Sequence, residues 1–312
     1  MKNGKLTIIR TAVGCSSTAG LINELKKRKI RVIGADCNPL SAGFNFCDKH
    51  YVIPKGNDPK FIKEILKICD REKPKAIISG PEEETLALAK NIKKFQKKNI
   101  MVVAPSLDVV KICGDKLLTY EFFKRNNIPT PKTSLNKNDL KFPLIIKPRH
   151  GRGSEQVYKI KNKAELEFFY KKADQPIFQE FVDGAEYTVD IFASPSGEIL
   201  SVVPRARIKV ESGISMKGKT VYDKEIINLS KKIADKLKLD GPACVQCIKT
   251  KTGVKFIEIN ARFGGGSILS MKADPTIIKN LIKLIKGEKP VKSRGFDQGL
   301  IMLRYYSEVY LK

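Results

Sequence analysis

Apolar residues fall in short runs, separated by glycine or proline turns and by lysine-rich stretches of helical period. LTIIRTAVG, a helix over 17–28 and RVIGAD read strand, glycine turn, helix, strand. The theme repeats with a helix in PKFIKEILKICDREK, a strand in AIISG, a helix over 83–98 and a short strand in MVVAP. Strands alternating with helices build a parallel sheet with helices on its faces, so a first α/β module is predicted over 1–112.

A helix follows in GDKLLTYEFFKRNNIPTPKT, with Asp115 able to cap its start and Pro129 and Pro131 ending it. FPLIIKP reads as a strand, GRGSEQVYKI as a glycine loop leading into a strand, 163–173 as a helix and PIFQEFV as a strand. The last stretch is richer in strands. EYTVDIFAS, a turn at Pro195-Ser196-Gly197 and EILSVVPRARIKV precede a helix over 223–237 and a hairpin over 243–262.

The hairpin carries an unusual mixture. In VKFIEIN and the residues after it, Glu258, Asn260 and Arg262 recur at every second position beside Phe256, Ile257 and Ile259. With a three-residue turn at Lys251-Thr252-Gly253, Thr250 faces Val254 and Gln246 faces Glu258. That register gathers Gln246, Glu258 and Asn260 on one face as oxygen donors. An all-oxygen set suits Mg²⁺, which takes few protein ligands and completes its octahedron with water and phosphate. Arg262, one step along, can grip a phosphoryl group bidentately. The same alternation also describes a plain solvent-facing strand, and the hairpin alone leaves both readings open.

Composition narrows the class. The 312 residues are 42% hydrophobic, enough for a sizeable core. No apolar run approaches the roughly 18 residues of a membrane span. The opening stretch is broken by Arg10 and runs into a glycine turn, so it reads as a strand and not a signal peptide. A cytoplasmic protein is expected, and seven scattered cysteines fit reduced thiols. Cys244 and Cys247 on one strand point to opposite faces, and the histidines are His50 and His150 only, so zinc is not expected. The net charge of +26 is spread along the chain and not gathered in an arm. It reads as a solvated basic surface favouring anionic small molecules such as nucleotides, and not as a nucleic-acid interface.

FPLIIKP, GRGS, FQEFVDGAEYTVDIF, GPACVQCI and FIEINARFGGGS stand in the order and spacing of the ATP-grasp superfamily. The chain most closely resembles its carbamoyl-phosphate-synthase-like branch, and the stretch with GCSSTAG and RVIGADCNP looks like the domain that precedes it there. The resemblance implies an α/β chain (α+β overall), an ATP-grasp fold behind a Rossmann-like domain. It divides the chain into that domain at 1–112, a small lid subdomain at 113–183 and a metal- and nucleotide-binding subdomain at 184–312.

The resemblance also implies residue roles. Lys147 contacts the α and β phosphates, which would relieve the cost of an ammonium in an apolar strand. Gly151, Gly153 and Ser154 belong to the loop that closes over the phosphates; this is not a Walker loop, because GxxxxGK[ST] is absent. Glu180, Phe181 and Val182 match the adenine-binding linker, Glu186 the ribose carboxylate and Lys116 a basic residue turned toward phosphate. Gln246, Glu258 and Asn260 match the metal ligands and Arg262 the transition-state arginine. Gln246 departs from the Asp or Glu of the wider superfamily and resembles the glutamine of the branch. Arg205 and Arg207, on one strand face, could serve the γ phosphate or a substrate carboxylate, or lie on a solvated strand. Arg262, Lys147 and Arg205 are the expected catalytic residues.

The implied chemistry is ATP-dependent activation of a carboxylate as an acyl phosphate, which an amine attacks, with Mg²⁺ or Mn²⁺ as cofactor. Small-molecule carboxylate and amine substrates and a homodimer are the expected partners. The alternatives are a bicarbonate-activating carboxylase component, a phosphoryl-transfer enzyme, or a non-catalytic nucleotide- or nucleic-acid-binding protein. Full carbamoyl-phosphate synthase activity is not expected at this length. The first module is expected to wall the acceptor site. GCSSTAG can offer N–H groups to an anion, and Asp36 is a partial dinucleotide fingerprint that does not amount to NAD binding. Glu82, Glu83 and Glu84 open a helix and are read as helix-dipole groups, with a substrate amine as the other possibility.

Overall fold

The computed structural model describes residues 5–15 and 17–310. Ser16, inside GCSSTAG, lies outside them. Strands β1 (Thr7–Thr11), β2 (Arg31–Asp36), β3 (Lys49–Val52), β4 (Ala76–Ile78) and β5 (Met101–Val103) form a parallel sheet in the order β3-β2-β1-β4-β5. Helices cover both faces, because the strands are apolar on both. Phe61–Glu72 buries Phe61, Ile65, Ile68 and Cys69, one stripe of helical period, and packs with Ile9, Ile33 and Ile77. On the other face, Thr18–Lys26 and Thr276–Ile285 pack with Ile8, Val32 and Ile78.

Strands β6 (Thr133–Ser134), β7 (Leu144–Pro148), β8 (Tyr158–Ile160) and β9 (Pro176–Glu180) form a small antiparallel sheet closed by the helix Lys163–Tyr170. The third sheet is antiparallel and six-stranded. It contains β10 (Ala185–Ala193), β11 (Ile199–Glu211), β12 (Ile214–Thr220), β13 (Pro242–Thr250), β14 (Gly253–Asn260) and β15 (Ile301–Leu303), in the order β14-β13-β10-β11-β12-β15. Its core side packs on Lys224–Leu237, Leu107–Cys113 and Lys116–Arg125. Asp115 caps the last of these, accepting from the N–H groups of Leu117 and Leu118.

Some local expectations change. The helix expected over 83–98 is two, Glu82–Lys90 and Ile92–Gln96, broken at Asn91, whose φ of −111° leaves the helical region. Strands β3 and β12 and the helices after Gly266 are additions; the strands have too few apolar positions for a clear period, whereas Thr276–Ile285 carries a helical stripe of Ile277, Ile278, Leu281 and Ile285 that the sequence reading did not use. The turn of the β13–β14 hairpin is shorter than expected: Thr250 pairs with Gly253, not Val254. A bulge at Ile257 then supplies the missing residue, and Gln246 still faces Glu258. The bulge also turns two consecutive side chains to one side. Ile257 and Glu258 both line the cleft below, while Phe256 and Ile259 lie in the core.

Candidate active site

All three sheets contribute to one cleft of about 1510 Å³. The carboxyl ends of β1, β2 and β4 form one wall, the small sheet and its glycine loop a second, and the large sheet the floor. Lys116, Lys147, Gly151, Gly153, Ser154, Glu180, Phe181, Val182, Glu186, Arg205, Gln246, Glu258, Asn260 and Arg262 all line it.

Lys147 is 5% exposed, and its Nζ donates to Gln179 Oε1 at 2.9 Å. Gln179 is fixed in turn by donating to Thr133 Oγ1 at 2.9 Å. Burial depresses the Lys147 ammonium to about 8, with the Glu258 charge opposing the shift. Lys116 Nζ donates to the Gly151 carbonyl at 2.7 Å, so this lysine holds the glycine loop from below. Gly153 lies against the β11–β12 turn: a Cβ on Gly213 would stand 2.7 Å from Gly153 Cα, and Gly213 has a φ of +72°. Arg152 of the loop pairs with Glu83 at 3.0 Å. The loop therefore spans the cleft from the small sheet to both other walls.

In the floor, Glu258 is half-buried and has no hydrogen-bond or ion-pair partner among the described residues. Asn260 Oδ1 accepts from Arg262 Nη2 at 3.0 Å, and Gln246 Oε1 accepts from Arg207 Nη1 at 3.0 Å. Arg207 also donates to the Gly213 carbonyl and pairs with Glu186 at 3.2 Å, which ties together residues expected at the metal, the ribose and the turn. Lys255 Nζ donates to Glu180 Oε1 at 2.7 Å, and the Lys132 N–H to its Oε2, so the Glu180 side chain anchors the linker. Cys244 is on the cleft side of β13 and Cys247 in the core beneath.

Arg205 departs from its expected role. It is 1% exposed, and its Nε donates to Asp190 Oδ2 at 2.6 Å. Asp190 also accepts from Ser267 and Ser270, each at 2.5 Å. A Cβ on Gly266 would stand 2.2 Å from Arg205 Nη1. The Arg205 charge is matched by Asp190 and braces the glycine turn after Arg262. Asp190→Asn keeps the shape and removes the matching charge. It is expected to destabilise the protein by about 3–5 kcal/mol in urea unfolding, the cost of a buried ion losing its partner. A loss below 1 kcal/mol would show that the network is not structural.

The first wall holds groups that the sequence left undefined. Asp36 accepts from the N–H groups of Gly14 at 2.7 Å and Asn38 at 2.9 Å, which commits its carboxylate to the loop backbone. Glu83 and Glu84, read as helix-dipole groups, have partners of their own. Glu83 meets Arg152, and Glu84, 5% exposed, accepts from Thr11 Oγ1 at 2.5 Å. Burial pushes the Glu84 carboxyl up to about 7, against the Thr11 hydroxyl and the Arg10 charge.

A parallel-sheet domain joined to two antiparallel sheets that enclose a charged cleft defines the class. Residues 113–266 match the family described as the ATP-grasp domain, and residues 12–103 the PylC-like N-terminal domain. An ATP-grasp domain thus makes up about half of the chain, behind a PylC-like N-terminal domain, and the relatives include carbamoyl phosphate synthase large chains and ligases. It is 26% identical over 308 residues to a carbamoyl phosphate synthase large chain from Clostridium perfringens, covering 89% of this chain and 28% of that one. It is 24% identical over 301 residues to a 3-methyl-D-ornithine–L-lysine ligase from Methanosarcina barkeri, covering 91% and 72%. Among solved structures, biotin carboxylase from Campylobacter jejuni superposes with a TM-score of 0.76 at 16% identity, covering 95% of this chain and 74% of that one.

Proposed function

We propose that this protein is an ATP- and Mg²⁺-dependent ligase that activates a carboxylate as an acyl phosphate and joins it to an amine. The observation that carries this is the convergence of Lys147, Glu258, Asn260 and Arg262, from two sheets, on one cleft large enough for a nucleotide and a second substrate. Two anions, a carboxylate and a triphosphate, must come within bonding distance, and cations on both sides of the meeting point offset their repulsion.

The donor set fits the metal. Glu258 offers a carboxylate without a partner among the described residues, and Asn260 and Gln246 offer amide oxygens that each accept one described hydrogen bond. Mg²⁺ bound there supplies charge neutralisation at the phosphates. The protein's own groups do the rest. Lys147 holds the α and β phosphates, the glycine loop covers them, the 180–182 backbone meets adenine and Glu186 meets the ribose. Arg262 donates to the oxygens of the phosphoryl group as it moves to the substrate carboxylate, and the amine then displaces phosphate. In this reading residues 1–112 wall the acceptor, 113–183 form the lid and 184–312 the floor.

The test is Mg²⁺-dependent ADP release across a panel of amino acids, amines and bicarbonate. The ligase reading expects release only when a carboxylate and an amine are both present. Stimulation by bicarbonate alone assigns the chain to carboxylase chemistry instead. No release with any pair, together with tight DNA binding of steep salt dependence, assigns it to nucleic-acid binding.

A further inference from the structure

Arg10 lies in the central strand β1, between Gly34 and Ile78 of its neighbours. Strand alternation puts it on the face of Ile8, the face that packs toward the large sheet, at the end where that face opens into the cleft. It is 7% exposed. Its Nη1 donates to the Ile78 carbonyl at 3.1 Å, and its Nε is buried without a hydrogen-bond partner. Among the described residues no carboxylate stands within 4.0 Å of its guanidinium, and the same holds for Arg262. Burial depresses Arg10, the Glu84 charge opposes that shift, and the two arginines are near enough for the Arg262 charge to add to it. Glu84, the nearby carboxyl, is committed to Thr11 and the Gly80 N–H. A buried guanidinium with an unmet donor is costly, and a second guanidinium nearby, with no direct ion pair for either among the described residues, adds to the cost. One anion entering between them meets both needs.

We propose that Arg10, together with Arg262, binds a carboxylate group of the substrate at the carboxyl end of β1. This rests on the ligase reading and deepens it. Arg262 faces the nucleotide side and Arg10 the first wall, so the pair marks where the substrate anion crosses from one to the other. Planar bidentate groups suit a carboxylate better than a single ammonium would. Arg10 becomes a determinant of which carboxylate is admitted, in a strand otherwise given over to the core.

Thermal-shift titration of the full chain tests this, using acetate, bicarbonate and the twenty L-amino acids, each with and without saturating Mg-ADP. In the wild type at least one of these carboxylates is expected to raise the melting temperature. In Arg10→Gln its half-saturating concentration should rise at least tenfold, with partial recovery in Arg10→Lys, while the Mg-ADP shift stays as in the wild type. Equal half-saturation in wild type and Arg10→Gln overturns the proposal, as does a wild type that responds to none of the carboxylates. Absence of the Mg-ADP shift in the wild type strikes the ligase reading instead, and the arms without nucleotide still judge Arg10. If Arg10→Gln loses the Mg-ADP shift as well, its fold is damaged and Arg10→Lys decides, again by its carboxylate half-saturation against the wild type.

Discussion

Arg262→Ala lowers the turnover of ADP release by roughly 10²–10³, while half-saturation by ATP changes no more than a few-fold. The size is that of losing one preorganised donor to developing charge. The guanidinium donates to Asn260, has no carboxylate within ion-pair distance among the described residues, and lines the cleft. An interaction made only as the phosphoryl group moves lowers turnover without weakening ground-state binding. Arg262→Lys should recover little, because an ammonium cannot reproduce the planar fork. Turnover within threefold of the wild type in Arg262→Ala would remove this residue from the mechanism.

Lys147→Met should abolish Mg-ATP binding and yet stabilise the unliganded protein. Folding carries Lys147 from about 10.4 in the unfolded chain to about 8 in the cleft. A lysine lowered by folding destabilises the fold at every pH below its folded value, and the penalty shrinks as pH rises from about 8 toward 10.4. At neutral pH the burden is about 3 kcal/mol, of which about 1 kcal/mol is returned when Gln179 loses its partner. The net gain of about 2 kcal/mol should raise the melting temperature at pH 7 by about 3 °C. Nucleotide binding reverses the balance, since phosphate favours the charged form. In the wild type, ATP affinity should therefore fall by up to about tenfold per pH unit above 8. A melting temperature unchanged by Lys147→Met, or an ATP affinity flat between pH 7 and 9.5, would contradict this account.

Much of this site was legible because polar groups in apolar strands stand out. Lys147 and the alternation of Glu258, Asn260 and Arg262 carry such a signal, and the cleft collects them. The hairpin register was reached from the wrong turn: the expected turn residue lies in the ladder, and a bulge at Ile257 restores the count. Bulges leave no clear mark in a sequence read by alternation alone. The partners of Arg205 are hidden in the sequence for a related reason. Its distance from Arg207 in sequence reports a shared face, but only the fold brings Asp190, Ser267 and Ser270 against it. Arg10 was visible as a break in LTIIRTAVG and served only to argue against a signal peptide. The same logic applied to Lys147 would have marked it, since both are charges inside an apolar strand. The split of the helix at Asn91 and the extra strands depend on packing partners distant in sequence.

The charged groups of the cleft come from positions as far apart as Arg10, Lys147 and Arg262, carried by three sheets. A chain with one sheet undocked holds each charge in water, at no cost and with no use. Only the finished assembly crowds them together, and a ligand that relieves the crowding binds that assembly alone. Nucleotide should thus act as a folding chaperone for this chain, rescuing variants damaged far from the cleft in proportion to its concentration.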